Sequence, residues 1–165
     1  MESELLYQIH FELSYLPLLC GGIIALGAFL IRFFLLRSRS TLENSKEAGL
    51  LLLSISIITA VTGVGLFFYV TYNSYKANNL FKEGYYKTVE GVVEDFSPMP
   101  YEGHQRESFV INGVRFQYSD FAETPGYNNA RSHGGIIEGN GQHLRICYYN
   151  DNSLGNVILQ IEEIK

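Results

Sequence analysis

A chain of 165 residues has room for two domains at most. Its 47% hydrophobic and 18% charged residues, two cysteines and net charge of −5 exclude a disordered chain, a disulfide scaffold, a collagen-like repeat and a strongly basic nucleic-acid binder. The mean hydropathy of +0.04 hides a segregation, because the long apolar runs lie before Val70 and most of the charge lies after it.

Residues 1–12 read as an acidic flank, with Glu2, Glu4 and Glu12 and no basic side chain. The first apolar run, Leu13 to Ile31, has 19 residues without charge, then Arg32, then Phe33 to Leu36. The second, Leu50 to Val70, has 21 uncharged residues. A bilayer core of about 30 Å needs roughly 20 helical residues, so spans over 13–36 and 50–70 are expected. Neither run carries the polar stripe of a soluble amphipathic helix. The acidic start lacks the basic region of a cleaved signal peptide. Leu18-Leu19-Cys20-Gly21 falls short of a lipoprotein cleavage site because Leu19 is large, so Cys20 reads as a thiol within a helix.

Arg32, Arg37, Arg39 and Lys46 cluster in or beside the connector, against Lys76, Lys82 and Lys87 after the second run. The positive-inside bias places the connector in the cytoplasm and both flanks outside. In a double-membrane bacterium this gives a two-span inner-membrane protein with a periplasmic C-terminal domain. Gly21, Ala25 and Ala28 in the first run, and Ser56, Ala60 and Gly63 in the second, share a spacing that lets backbones approach. That favours hairpin packing, homo-oligomer formation, or both. Tyr69, Tyr72 and Tyr75 read as an interfacial aromatic belt. No acidic residue or histidine lies inside either span, which argues against an ion-coupled transporter.

Residues 71–84 read as a polar helix extension or linker. From residue 85 the period shifts to two, and a β domain over 85–165 is expected. Tyr86 to Phe96 reads as a strand bent at Gly91 and stopped by Pro98 and Pro100. Asn112-Gly113 is a two-residue hairpin turn that pairs Ile111 with Val114, Phe109 with Phe116 and Glu107 with Tyr118. Ser108, Arg115 and Gln117 then fall on the outer face. In 143–149, Leu144, Ile146 and Tyr148 alternate inward against His143, Arg145 and Cys147 outward; 157–164 closes the chain. Five strands in about 80 residues predict a small OB-like or SH3-like barrel, with an open antiparallel sheet as the alternative.

Asp120 to Gln142 is a long Gly-rich segment, either functional or hiding a short element. Ile136-Ile137 reads as a short strand or a core anchor. Within it, Arg131, His133, Gly134 and Gly135 suggest an anion site, with an arginine fork beside backbone N–H groups exposed by the glycines. Arg115, His143 and Arg145 could extend it across the outer strand faces, as a modest anion- or partner-binding patch. The bland reading is a solvated strand face and a Gly-rich turn. His104, His133 and His143 lack metal-ligand spacing, so no metal and no cofactor are expected. Glu94 and Asp95 are adjacent on a strand and cannot form an acid/base pair. Cys147 has no activating partner in sequence. From Thr71 onward, 8 Lys and Arg face 12 Asp and Glu, which disfavours nucleic acid.

The layout, with the phrases EGVVEDFSPMP (90–100), GHQRESFVINGVRFQYSD (103–120) and RSHGG (131–135), resembles small uncharacterised bacterial membrane proteins with two N-terminal helices and a C-terminal OB-like β domain. The resemblance implies an architecture and no activity. The outline also loosely resembles two-helix, β-rich effectors of bacterial anti-phage signalling, which implies a cyclic-nucleotide-binding barrel and membrane-disrupting helices. The short β domain and the charge bias count against that alternative. The expectation is therefore a non-enzymatic membrane hairpin that anchors a β-barrel. Its expected partners are the lipid bilayer, a protein or envelope component, and further copies through the small-residue helix faces.

Overall fold

The computed structural model describes residues 2–11, 16–37, 45–103, 105–122 and 124–165. Glu12, the start of the expected first span (13–15), Arg39 in the connector and His104 lie outside the described residues, as do the side chains of Arg37 and Lys46. The cytoplasmic connector therefore stays a reading of the sequence. The chain divides into two compact units, Leu13–Tyr72 and Met1–Glu12 with Asn73–Lys165.

The helical unit is built from α1 (Leu16–Arg37) and the first part of α2 (Ser45–Lys82). The expected small-residue approach occurs at one place. A Cβ added to Gly21 would lie 3.1 Å from Gly63 Cα and 3.5 Å from the Thr59 carbonyl oxygen, so these backbones come as close as glycine permits. The hydroxyls of Thr59 and Thr62 donate back to the Ile55 and Ile58 carbonyls, each at 2.8 Å. Both are thereby satisfied within their own apolar helix. Leucine, isoleucine and phenylalanine side chains remain exposed along both helices, Ile23, Phe29, Ile58 and Phe68 among them. Of the two expected spans, the one in α2 has the length and apolar composition to cross a membrane. Among the described residues one segment, Leu53–Lys82, is long and apolar enough to cross a membrane, while Leu19–Phe33 in α1 is shorter.

Among the described residues the second unit holds seven strands: β1 (Ser3–Gln8), β2 (Lys87–Val92), β3 (Glu94–Ser97), β4 (Glu107–Ile111), β5 (Val114–Tyr118), β6 (His143–Asp151) and β7 (Gly155–Ile164). They form two antiparallel sheets, ordered β1-β7-β6-β2 and β3-β4-β5. The expected closed five-stranded barrel is not formed among the described residues. The long strand expected over 86–96 breaks at Val93, whose N–H and C=O bond to residues 142 and 141. Asp95 then turns at φ 49°, and the chain crosses to the other sheet instead of continuing one ladder.

The β4–β5 hairpin has the register that Asn112-Gly113 dictates, Ile111 to Val114 through Glu107 to Tyr118. Asn112 and Gly113 both take positive φ, 45° and 79°, as this turn requires. The two sheets bury a common core of Phe109, Ile111 and Phe116 from one, and Leu144, Ile146 and Ile161 from the other. Aromatic contacts cross it: Phe109 stacks on Phe116 at 5.2 Å, and Phe116 meets the Tyr148 edge at 5.3 Å. Each such pair adds about 0.5–1.5 kcal/mol beyond burial. Ile137 is fully buried in the same core, as an anchor and not a strand.

Two segments assigned elsewhere by the sequence belong to this unit. The acidic flank forms β1, which pairs with β7 from Ser3–Ile164 to Gln8–Gln160. Alternation is hidden there by a bulge between Leu5 and Tyr7. The segment expected as a helix extension or linker is the end of α2. Its Ala77 is buried with Ile9, Tyr149, Val157 and Leu159, and Leu80 and Phe81 pack against them. Tyr149 and Val157 therefore face this helix and not the main core. Cys147, expected outside, is buried. Its thiol lies 3.7 Å from the Thr88 hydroxyl, and burial pushes its pKa up. Ser108, also expected outside, is buried with Arg115 Nη2 at 3.4 Å from its hydroxyl.

Asp151 joins the β6–β7 turn to α2. Its carboxylate accepts the Ser153 N–H at 3.0 Å, the Ser153 hydroxyl at 2.9 Å and Lys76 Nζ at 3.2 Å. These bonds, chiefly the Ser153 N–H, hold its pKa at about 2, below the ordinary 3.8. A depressed carboxylate pKa adds stability that is present above about pH 4 and is lost as pH falls toward 2. Acid titration of unfolding should show that loss in the wild type and a flatter acid limb in Asp151→Asn. A fragment of residues 85–165 lacks β1 and Ala77. It should show poorer amide chemical-shift dispersion and faster proteolysis than the whole chain.

Candidate functional site

The residue that organises the loops is one the sequence pattern places on the hairpin's inner face and leaves without a role. Glu107 is 0% exposed. Its carboxylate accepts the Tyr118 hydroxyl at 2.7 Å, the Arg131 N–H at 3.0 and 3.2 Å to its two oxygens, and the Met99 N–H at 3.4 Å. A buried carboxylate is tolerated only when donors saturate it, and here they come from three separate segments. Burial, followed by the bond to Glu107, pushes the Tyr118 phenol far above its ordinary range. The neighbouring Tyr127 is raised to about 12 by burial, and its hydroxyl accepts the Ile136 N–H at 2.8 Å.

The Arg131 N–H opens a short 3₁₀ turn, Arg131–His133. The turn carries His133, whose Nδ1 lies 2.7 Å from Asp120 Oδ2. The Tyr101 ring sits 4.6 Å from the His133 ring, and the Phe121 ring meets it edge-on at 5.8 Å. Tyr101 and Phe121 are 69% and 65% exposed. Gly103 lies beneath Phe121, where a Cβ would meet the ring at 3.0 Å. Asp120 Oδ1 and Ser132 Oγ are buried on the same loop without a hydrogen-bond partner among the described residues. Chemically this is an imidazole fixed by a carboxylate between two exposed rings.

Of the seven residues expected to form one patch, Arg131, His133, Gly134 and Gly135 lie in one turn, Arg115 lies on β5, and His143 and Arg145 lie on β6. The Gly134 and Gly135 N–H groups are spent on the Arg131 and Ala130 carbonyls at 3.1 and 2.9 Å, so they cradle no anion. Gly135 is needed for close approach, since a Cβ there would lie 2.2 Å from the Asn129 oxygen. The Arg131 guanidinium lies 5.9 Å from the Phe96 ring. Arg145 sits between Glu90 (2.7 Å) and Glu162 (3.1 Å), across β2, β6 and β7. Glu90 also lies 3.8 Å from His143. Arg145 is thus neutralised, and the Glu90 carboxylate raises its pKa. Arg115 belongs to the other sheet and contacts Ser108. A separate cleft of about 420 Å³ is lined by Leu6, Tyr7, His10, Ser74, Tyr127 and Asn129 among others, none of them expected from the sequence.

Glu107→Ala strands the Tyr118 hydroxyl and the Arg131 N–H in the core. It should cost about 2–5 kcal/mol in urea unfolding. Glu107→Gln keeps an acceptor and should cost less. In Glu107→Gln the His133 ring proton shifts should move, because the turn that carries the ring loses its charged anchor.

No protein-family model, no curated protein and no solved structure matches the chain.

Proposed function

We propose that the chain is a non-enzymatic, membrane-anchored binding module, held by a helical hairpin and presenting its β unit outside the cytoplasmic membrane. The observation that carries the anchor is topological. β1 precedes α1 and α2 in sequence, yet it pairs with β7, which follows them. The chain must therefore return to the side from which it left, so the two helices cross a bilayer together or not at all. The exposed apolar side chains along both helices support crossing, since water offers no partner for a surface of that extent. The hydroxyl-to-carbonyl bonds of Thr59 and Thr62 suit a lipid surround.

The binding role rests on Tyr101, Phe121 and His133. Exposed aromatic rings held by a buried network lose little entropy on contact, which is the character of interface anchors. The partner class this favours is a protein or envelope component offering an apolar or aromatic group with an acceptor for the imidazole.

Membranes from cells expressing the full chain should retain it through alkaline carbonate washing. Tags before residue 2 and after residue 165 should both report the periplasm. Release by carbonate, or tags on opposite faces, overturns the anchor; both tags in the cytoplasm overturns the orientation.

A further inference from the structure

We propose that the cleft between the end of β1, the last turns of α2 and the loop at 124–129 is a binding site for a neutral saccharide. The cleft measures about 420 Å³, within the roughly 300–1,000 Å³ of small-molecule sites. It lies wholly inside the β unit. Tyr101, Phe121 and His133 do not line it. Its ligand class follows from which of its wall groups are still free to bond.

Among the described residues no Asp, Glu, Lys or Arg lines the cleft. A phosphate or carboxylate would therefore lose its water there without gaining a counter-ion. The main chain of the wall is already bonded. The Ile9 and Tyr127 N–H groups donate to the Leu159 and Ile158 carbonyls at 2.7 and 2.9 Å. The Ile136 N–H donates to the Tyr127 hydroxyl at 2.8 Å, and the Ile136 carbonyl accepts Gln142 Nε2 at 3.3 Å. A peptide laid in extended form needs a row of such groups to pair its own backbone, and these are spent.

Side-chain hydroxyls and an amide remain. Ser74, Thr124 and Asn129 line the cleft from α2 and from the loop, and their side chains make no hydrogen bond among the described residues. Each can both donate and accept, which is what sugar hydroxyls require. An acyl chain would strand the same groups without water. Tyr7 and Tyr127, edge to face at 5.1 Å, add an apolar wall. An aromatic face is negative and attracts the weakly positive C–H face of a pyranose ring. The loop is set in place beforehand. A Cβ on Gly126 would lie 2.3 Å from the Ile158 carbonyl oxygen, and Asn128 Nδ2 donates to the Ala122 carbonyl at 3.2 Å. A loop fixed in this way gives up little freedom on binding, which suits a ligand held by few hydrogen bonds.

The test uses the full chain in a detergent without a sugar head group. Amide NMR signals are the readout, and maltotriose and the trisaccharide of N-acetylglucosamine are the probes. Either sugar should shift the Asn129 and Tyr7 amide signals saturably. Asn129→Ala and Thr124→Val each remove a free polar group without adding bulk. Each should raise the dissociation constant about three- to tenfold, the loss of one neutral hydrogen bond. Ser74→Phe fills the cleft and should abolish the shifts with an unchanged circular dichroism spectrum; if that spectrum changes, the other two variants decide. His133→Ala should bind as the wild type does. No shift with either sugar into the tens of millimolar overturns the inference. So does binding that survives all three cleft variants, or that is lost in His133→Ala and so belongs to the Tyr101 surface. Shifts from trialanine but not from the sugars assign the cleft to a peptide, and Overhauser contacts from the detergent tail to the Thr124 methyl assign it to an acyl chain; both overturn it. Tags that report the cytoplasm overturn the proposed orientation and leave this inference standing.

Discussion

A single carboxylate buried between two sheets sets the shape of the loop surface. Glu107 cannot sit in an apolar core unless its oxygens are saturated, and its donors reach it from β5, from the segment before β4 and from the long loop before β6. The long connection is thereby fixed at its middle. Ile137 fastens it again in the core, and Gln142 Nε2 donates to the Ile136 carbonyl at 3.3 Å while its Oε1 accepts the Glu138 N–H at 3.0 Å. A segment of that length without regular structure would otherwise lose its conformational freedom for little return. Fixed at these points, it can hold an imidazole and a carboxylate in register between exposed rings.

The two-sheet arrangement follows from how its edges end. A barrel removes edges by closing. This unit keeps four and treats them one at a time. The corner at Val93 and Asp95 carries the chain from one sheet to the other, and the side chains of Asn112, Asn140 and Asn156 finish ladders that closure would have continued. Behind the first sheet, the last turns of α2 cover Tyr149, Val157 and Leu159. That small second core makes the bulge opposite Cys147 and Tyr148 useful: Leu159 is the extra residue on β7, so Ile158 and Ile161 both reach the main core while Leu159 joins the second.

Strong local chemistry was legible in the sequence. The Asn112-Gly113 turn fixes its own register, and strict alternation marks Leu144 and Ile146 as inward. Long uncharged runs mark α1 and α2. What was hidden depends on tertiary context. β1 carries glutamates and a bulge, so it shows neither alternation nor an apolar face, and only β7 makes it a strand. Ser108 and Cys147 obey alternation, but it cannot say whether something covers the outer face. The importance of Glu107 was invisible because an acidic residue beside a hairpin reads as solvated; its place opposite Tyr118 was the available signal. Arg115, Arg131 and Arg145 looked like one patch because one-dimensional spacing does not distinguish two sheets, and the carboxylates that neutralise Arg145 lie on neighbouring strands.

The pairing of β1 with β7 joins a strand made before both helices to one made after them. Until β7 emerges, β1 has no native neighbour, and β7 once made has an unfilled side until β1 docks. Closing a loop that contains both helices carries an entropic cost, which the β1–β7 ladder has to offset. The sheet can be completed only after both helices have been made.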